Sequence, residues 1–219
     1  MSEADRQAFC ERYDIAPDRI RAIPTGTDPV DRDRLEPRVE VRSRLGLSAD
    51  LVAVFHGWYR HRANQEAVAH LRDTVAPAIR DAEIGLEFLL VGKGMPNLDL
   101  PNVTSVGFIE DLDPVLNAAD FAVVPTLRGG GTKTKVYDYL SVGLPMVATR
   151  NGIAGIGLQP GTHCLVADGI GNVFLEHVHT LASSPNKRAA MRAANRRFAR
   201  EHKWQRSVNR LDAFYRELL

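Results

Sequence analysis

Short apolar runs punctuate the chain at Leu51 to Phe55, Leu86 to Val91, Phe121 to Val124 and Pro145 to Ala148, with a weaker one at His163 to Ala167. Continuous rather than alternating runs fit strands that are covered on both faces. Between the first two, Ala67, Val68, Leu71, Val75, Ala78 and Ile79 fall on one stripe of a helix over Asn64 to Ala82. Val103 to Val106 reads as a further strand, Asp113 to Ala119 and Thr132 to Val142 as helices, and the tail from Ala167 to Leu219 as helical throughout. Alternating strands and helices predict an α/β fold with a doubly wound parallel sheet. The front differs. Ser2 can cap a helix running to about Tyr13, with Asp5 closing a capping box, and a single strand is expected over Arg19 to Ile23. Pro24 to Pro37 is a turn-rich, charged connection, so this region reads as the end of something else rather than the start of a domain.

Composition narrows the function more than the fold. With 44% hydrophobic and 25% charged residues in 219, the chain has the make-up of a globular protein with one sizeable core. A net charge of +1 leaves no global field for nucleic acid or an anionic membrane, so any anion site must be local. Cys10 and Cys164 are too few and too far apart for a redox pair or a zinc cluster, and the seven histidines never take a metal-ligand spacing; no metal is expected. The polar start Met1 to Asp5, the two thiols and the lack of any apolar stretch of about 18 residues predict a cytoplasmic protein without a transmembrane segment.

In open α/β sheets ligands bind beyond the carboxyl ends of the strands, which directs attention to the loops after the apolar runs. These are His56 to Arg62, Gly92 to Gly94, Gly107 to Asp111 and Pro125 to Lys135. The last carries Gly129, Gly130 and Gly131 ahead of a helix, a combination that exposes unpaired N–H groups and a positive dipole end to an anion. Lys135 and Asp138 share a face of that helix with Thr134. They suit a phosphate site with a carboxylate beside it, or else a solvated i,i+3 ion pair. The run is not a P-loop, since Thr132 rather than glycine precedes Lys133, and Gly92-Lys93-Gly94 lacks the third glycine of a dinucleotide fingerprint.

The stretch from Val124 through Gly129-Gly130-Gly131-Thr132-Lys133-Thr134-Lys135-Val136-Tyr137-Asp138 to Gly143-Leu144-Pro145-Met146-Val147-Ala148-Thr149 resembles the donor-binding signature of the retaining group 1 glycosyltransferases, family 4. The likeness extends to Gly107-Phe108-Ile109-Glu110-Asp111, to Gly92-Lys93-Gly94, to Phe55-His56-Gly57, and forward to Ser2-Glu3-Ala4-Asp5 and Ile23-Pro24-Thr25-Gly26-Thr27-Asp28. It implies one Rossmann-like half of the two-domain GT-B fold, the nucleotide-sugar-binding half, with a helical C-terminal tail. Residues 1–36 would then be a hinge segment from an absent N-terminal domain, 37–199 the donor domain and 200–219 a helix crossing back toward the missing partner. Met1 standing just before the hinge motif suggests a fragment or an excised domain.

By the same resemblance, backbone amides of Gly130, Gly131, Thr132 and Lys133 would hold the donor diphosphate, Lys135 would neutralise it, and Asp138 would accept the ribose hydroxyls. Gly57, Gly92 and Thr134 belong to the same nucleotide-sugar site, and Phe108 and Ile109 resemble the loop lining the nucleobase, unless Phe108 is simply core. Two departures stand out: Gly130 occupies the place of a glutamate that faces the donor sugar, and Trp58 replaces an arginine aimed at the diphosphate. Arg60, as a second catalytic cation, and Arg62 are the nearby substitutes, or else solvated charges. The implied activity is transfer of a hexose-type sugar from a nucleoside-diphosphate sugar to an acceptor of unknown identity, with retention, no cofactor, and dependence on the N-terminal domain. A stand-alone nucleotide- or partner-binding module is the alternative, and a sugar-nucleotide epimerase fits the Lys135 and Asp138 helix less well.

Overall fold

A computed structural model describes residues 2–218. The first helix, α1 (Glu3–Tyr13), is opened by the expected capping box: the Asp5 N–H donates to Ser2 Oγ at 3.1 Å and the Ser2 N–H to Asp5 Oδ2 at 2.9 Å. The strand expected over Arg19 to Ile23 does not form. A 3-10 turn takes Pro17–Arg19 and the backbone beyond it joins no sheet, because an extended segment becomes a strand only where a neighbouring edge accepts its ladder. A short helix not anticipated from the pattern follows, α2 (Arg38–Arg44), which buries only Val41.

The sheet begins with β1 (Leu51–His56). The expected helix is then continuous but not uniform: α3 (Arg62–His70), a π-helical stretch over Leu71–Val75, and α4 (Ala76–Asp81). Pro77 accounts for the wider turn, since it has no N–H to donate and its ring would strike the carbonyl four residues back in a regular helix. Strands β2 (Leu86–Val91) and β3 (Val103–Val106), helix α5 (Asp113–Ala118) and β4 (Phe121–Val124) follow. Helix α6 (Thr134–Ser141) starts two residues later than the pattern suggested, since Gly131 at φ 73° and Lys133 at ψ 65° hold the chain outside helical space. Strands β5 (Met146–Thr149) and β6 (Leu165–Ala167) complete the sheet. The tail is helical in three pieces, α7 (Asn172–Ser183), α8 (Pro185–Glu201) and α9 (Trp204–Leu218), broken where Ser184 caps α8 ahead of Pro185 and again at His202.

All six strands are parallel, in the order β3-β2-β1-β4-β5-β6. This is the doubly wound, Rossmann-like arrangement, with the crevice where β1 meets β4. β1 pairs with β2 along its full length, Leu51 with Leu86 through His56 with Val91, but with β4 only through Ala53–Phe121 and Val54–Ala122. Alternate strand residues feed two cores. Val52 and Val54 pack with α2, α5 and α6, whereas Ala53 and Phe55 pack with α3, α4 and α7. Burial on both faces is what makes the central strands predominantly apolar in sequence.

Asp120 fastens the amino edge. Its carboxylate accepts from the Val52 N–H at 2.8 Å, from Arg38 at 2.8 Å and from Arg42 at 2.7 Å, tying α2 to the seam between β1 and β4. Burial by itself would raise this carboxyl's pKa, and the three donors override it to leave it below 3.8. On the outside, Trp204, Val208, Leu211 and Tyr215 form an exposed apolar stripe along α9. No helix of the described residues is long and apolar enough to cross a membrane.

Candidate donor-binding site

The carboxyl ends of β1 to β4 release four loops onto one edge of the sheet. The first two touch through their backbones. A Cβ on Gly92, whose φ is 143°, would lie 2.0 Å from the Gly57 carbonyl oxygen, and the Gly57 N–H donates to the Val91 carbonyl at 2.9 Å. Gly92 is thus a glycine because two loops cross there, whereas at Gly57, with φ 154°, a Cβ would meet the Asn64 side chain.

The glycine loop runs from β4 to α6 with Gly129 at φ 115° and Gly131 at φ 73°. The N–H groups of Gly130, Gly131, Thr132 and Lys133 find no acceptor among the described residues, which leaves a run of donors at the positive end of α6. Lys133 folds its Nζ back to the Gly129 carbonyl at 2.6 Å. Burial lowers its pKa, with Asp5 of α1 pulling the other way. A cavity of about 200 Å³ lies between this loop, the start of α1 and the 154–156 turn.

Lys135 and Asp138 do not form the solvated i,i+3 pair that their spacing also allowed. Lys135 Nζ donates to Asn64 Oδ1 at 2.6 Å and sits 4.0 Å from the centroid of the Phe55 ring. Burial, assisted by the charge of Lys133, pushes its pKa down to about 7. Asp138 turns the other way, its Oδ2 lying 3.4 Å from His56 Nε2. Burial, with Asp113 as a neighbouring carboxylate, raises Asp138 to about 6. His56 is held down to about 3 by burial and by the Lys135 charge, so at pH 7 it is neutral and its approach to Asp138 is not an ion pair. The buried Tyr139 hydroxyl accepts the His56 N–H at 3.1 Å, fixing the end of β1 against α6. The result is a cation and a carboxylate on one helix, each half-desolvated, beside free N–H donors.

A second cavity, of about 340 Å³, is bounded by His56, Trp58, Lys93, Phe108, Ile109 and Leu112. Phe108 is 73% exposed, which excludes the core reading, while Ile109 is half-buried against the core. Thr134 opens α6 on the rim of a neighbouring depression shared with Asp138. Arg60 is exposed, 5.8 Å from the Trp58 ring, and Arg62 is exposed and paired with Glu66 at 3.1 Å. The fold therefore gathers the glycine loop, Thr134, Lys135, Asp138, Phe108 and Ile109 on one edge, with the two arginines at its periphery.

Sequence reasoning missed the contact of His56 with Asp138 and the bond from Asn64 to Lys135. One signal was available for the latter: Asn64 is polar yet stands on the same stripe as Ala67, Val68 and Leu71.

The model of the family described as "Glycosyl transferases group 1" matches residues 50–184. The chain belongs to this family. No curated protein matches its sequence. Among solved structures, it is similar to Anabaena Alr3699/HepE in complex with UDP and glucose, at 16% identity and a TM-score of 0.79, over 100% of this chain and 62% of that one. It is also similar to sucrose-phosphate synthase (tll1590) from Thermosynechococcus elongatus, at 20% identity and TM-score 0.72, over 100% of this chain and 57% of that one. A C-terminal domain of a glycosyl transferase group 1 family protein, LpcC from Francisella tularensis, is 12% identical with a TM-score of 0.61, covering 81% of this chain and 96% of that domain. At these identities the likeness is one of fold, that of the C-terminal domain of GT-B glycosyltransferases. The group 1 chain spans about 62% of the length of HepE.

Proposed function

We propose that these residues form the donor-binding half of a cytoplasmic, retaining family 4 glycosyltransferase that moves a hexose from a nucleoside-diphosphate sugar to an acceptor. The observation that carries this is the run of free N–H groups from Gly130 to Lys133 placed directly ahead of a helix bearing a half-buried Lys135 and Asp138. Such donors match a diphosphate, Lys135 adds the charge that stabilises it as it departs, and Asp138 offers a carboxylate to the ribose diol. The cavity between Trp58 and Phe108 takes the base, with Ile109 at its wall and Gly57 and Gly92 holding its floor. Thr134, Arg60 and Arg62 supplement the phosphate side. The protein's contribution is positioning and charge stabilisation, and the reading calls on no cofactor.

Residues 1–36 act as the hinge, 37–199 as the donor domain and 200–219, the segment that carries α9, as the part that leans on an N-terminal domain, which supplies the acceptor site. The apolar stripe of α9 supports that division. Because HepE is described with UDP, UDP is the first nucleotide to test. Calorimetry with the 219-residue chain is expected to show UDP bound at least tenfold more tightly than uridine, and no sugar transfer until the partner domain is joined. Equal affinity for UDP and uridine would remove the phosphate from the site.

A further inference from the structure

We infer that Asn64 is a positioning residue of this site, a neutral clamp that aims the Lys135 ammonium at the donor diphosphate without spending its charge. The inference rests on the proposed placement of the diphosphate at the glycine loop.

Asn64 lies in the first turn of α3, is only 8% exposed, and uses both ends of its carboxamide. Its Nδ2 donates to the Trp58 carbonyl at 2.8 Å and its Oδ1 accepts from Lys135 Nζ at 2.6 Å. The two partners fix which end is oxygen, since a lysine can only donate and a carbonyl only accept. Gly57 is part of the device: a Cβ there would stand 2.7 Å from Asn64 Nδ2, so a side chain at 57 would displace the amide. One residue thereby ties the first loop to the catalytic helix, across a gap of 71 positions.

The choice of an amide has a chemical consequence. Lys135 is faced by Lys133 from the glycine loop, by Asp138 on its own helix, by His56 and the Phe55 ring from β1, and by Asn64 from α3. A carboxylate at position 64 would still accept from Lys135 but would lose the bond to the Trp58 carbonyl and form an ion pair that competes with an incoming phosphate. An amide orients the ammonium and leaves its charge to be neutralised by the ligand. The bond still favours the protonated form, because the amide oxygen accepts best from a cation.

The test compares N64D and N64L with the parent chain. The Lys135 Nζ is titrated by 15N NMR without ligand, and inorganic pyrophosphate, UDP and uridine are bound by calorimetry at pH 6 and pH 8. In N64D the Lys135 midpoint is expected to move up by about one unit or more, as for any ammonium given a carboxylate partner. Pyrophosphate affinity at pH 6 should fall about tenfold with uridine unchanged. N64L should lower the midpoint and weaken pyrophosphate, again sparing uridine. A Lys135 midpoint that stays put in N64D, or equal losses for pyrophosphate and uridine, would overturn the clamp. A parent chain that binds uridine as well as UDP would overturn the diphosphate placement itself, and the ligand-free titration would still report whether Asn64 governs Lys135.

Discussion

Donor binding should be coupled to the uptake of one proton by Lys135. The free ammonium titrates near 7, because burial and Lys133 work against its charge. A diphosphate oxygen in contact with it adds a charge-assisted interaction of about 1.5 to 3 kcal/mol. At roughly 1.4 kcal/mol per pKa unit, that raises the bound-state value by about one to two units, to about 8 or 9. The direction follows from linkage: between the free and bound values the complex holds one more proton than the separated partners, so affinity falls as pH rises through that window. The expected loss between pH 7 and pH 9 is about five- to twenty-five-fold, in a range where a terminal phosphate is already ionised. Calorimetry of UDP in buffers of different ionisation enthalpy would read the proton directly, about 0.4 to 0.8 per ligand near pH 8. Lys135→Met should flatten the profile at the weak, high-pH level. A parent profile that is flat from pH 7 to 9, or a Met variant with the parent's slope, would refute the placement of the ammonium on phosphate.

Asp138→Ala should weaken UDP and uridine alike by about 1 to 3 kcal/mol, since a carboxylate on the ribose acts on both; unchanged calorimetric affinity would leave Asp138 as a neighbour of His56 only. Asp120→Ala should cost about 3 kcal/mol in urea unfolding, because Arg38, Arg42 and the Val52 N–H lose their common acceptor in a mostly buried setting. Its carboxyl is depressed, so its stabilisation is complete above the ordinary value near 3.8 and disappears as pH falls through the lower folded value; an alanine variant as stable as the parent at pH 7 would dismiss the anchor.

The sheet was legible because parallel strands buried on both faces can carry little but apolar residues, and β2 and β4 begin and end where their runs do. β5 slips by one position, with Pro145 outside and the polar Thr149 inside, because Thr149 Oγ1 donates to the Thr126 carbonyl at 2.5 Å across the neighbouring loop. Ile20 and Ala22 imitate a strand, but local apolarity does not by itself make one. α2 was invisible for the opposite reason: it buries a single valine and is secured by Asp120 from 78 and 82 positions away. The same division holds at the site. The spacing of the glycines, Lys135 and Asp138 is local and could be read, whereas the partners that turn those two side chains apart, Asn64 and His56, come from α3 and β1 and emerge only when the chain is folded.

The short pairing between β1 and β4 gives the sheet an unequal grain. Two three-stranded halves are each laced internally, β1 to β2 over its full length, while the seam joining them rests on Ala53–Phe121 and Val54–Ala122 and on Asp120 beneath. The candidate site lies across the open end of that seam, taking His56 and Phe108 from one half and the glycine loop and Asp138 from the other. A donor held by both halves is therefore a rivet through the shortest of the strand pairings, and its grip would register as slowed amide exchange along β1 and β4, a property of the scaffold rather than of the loops that touch it.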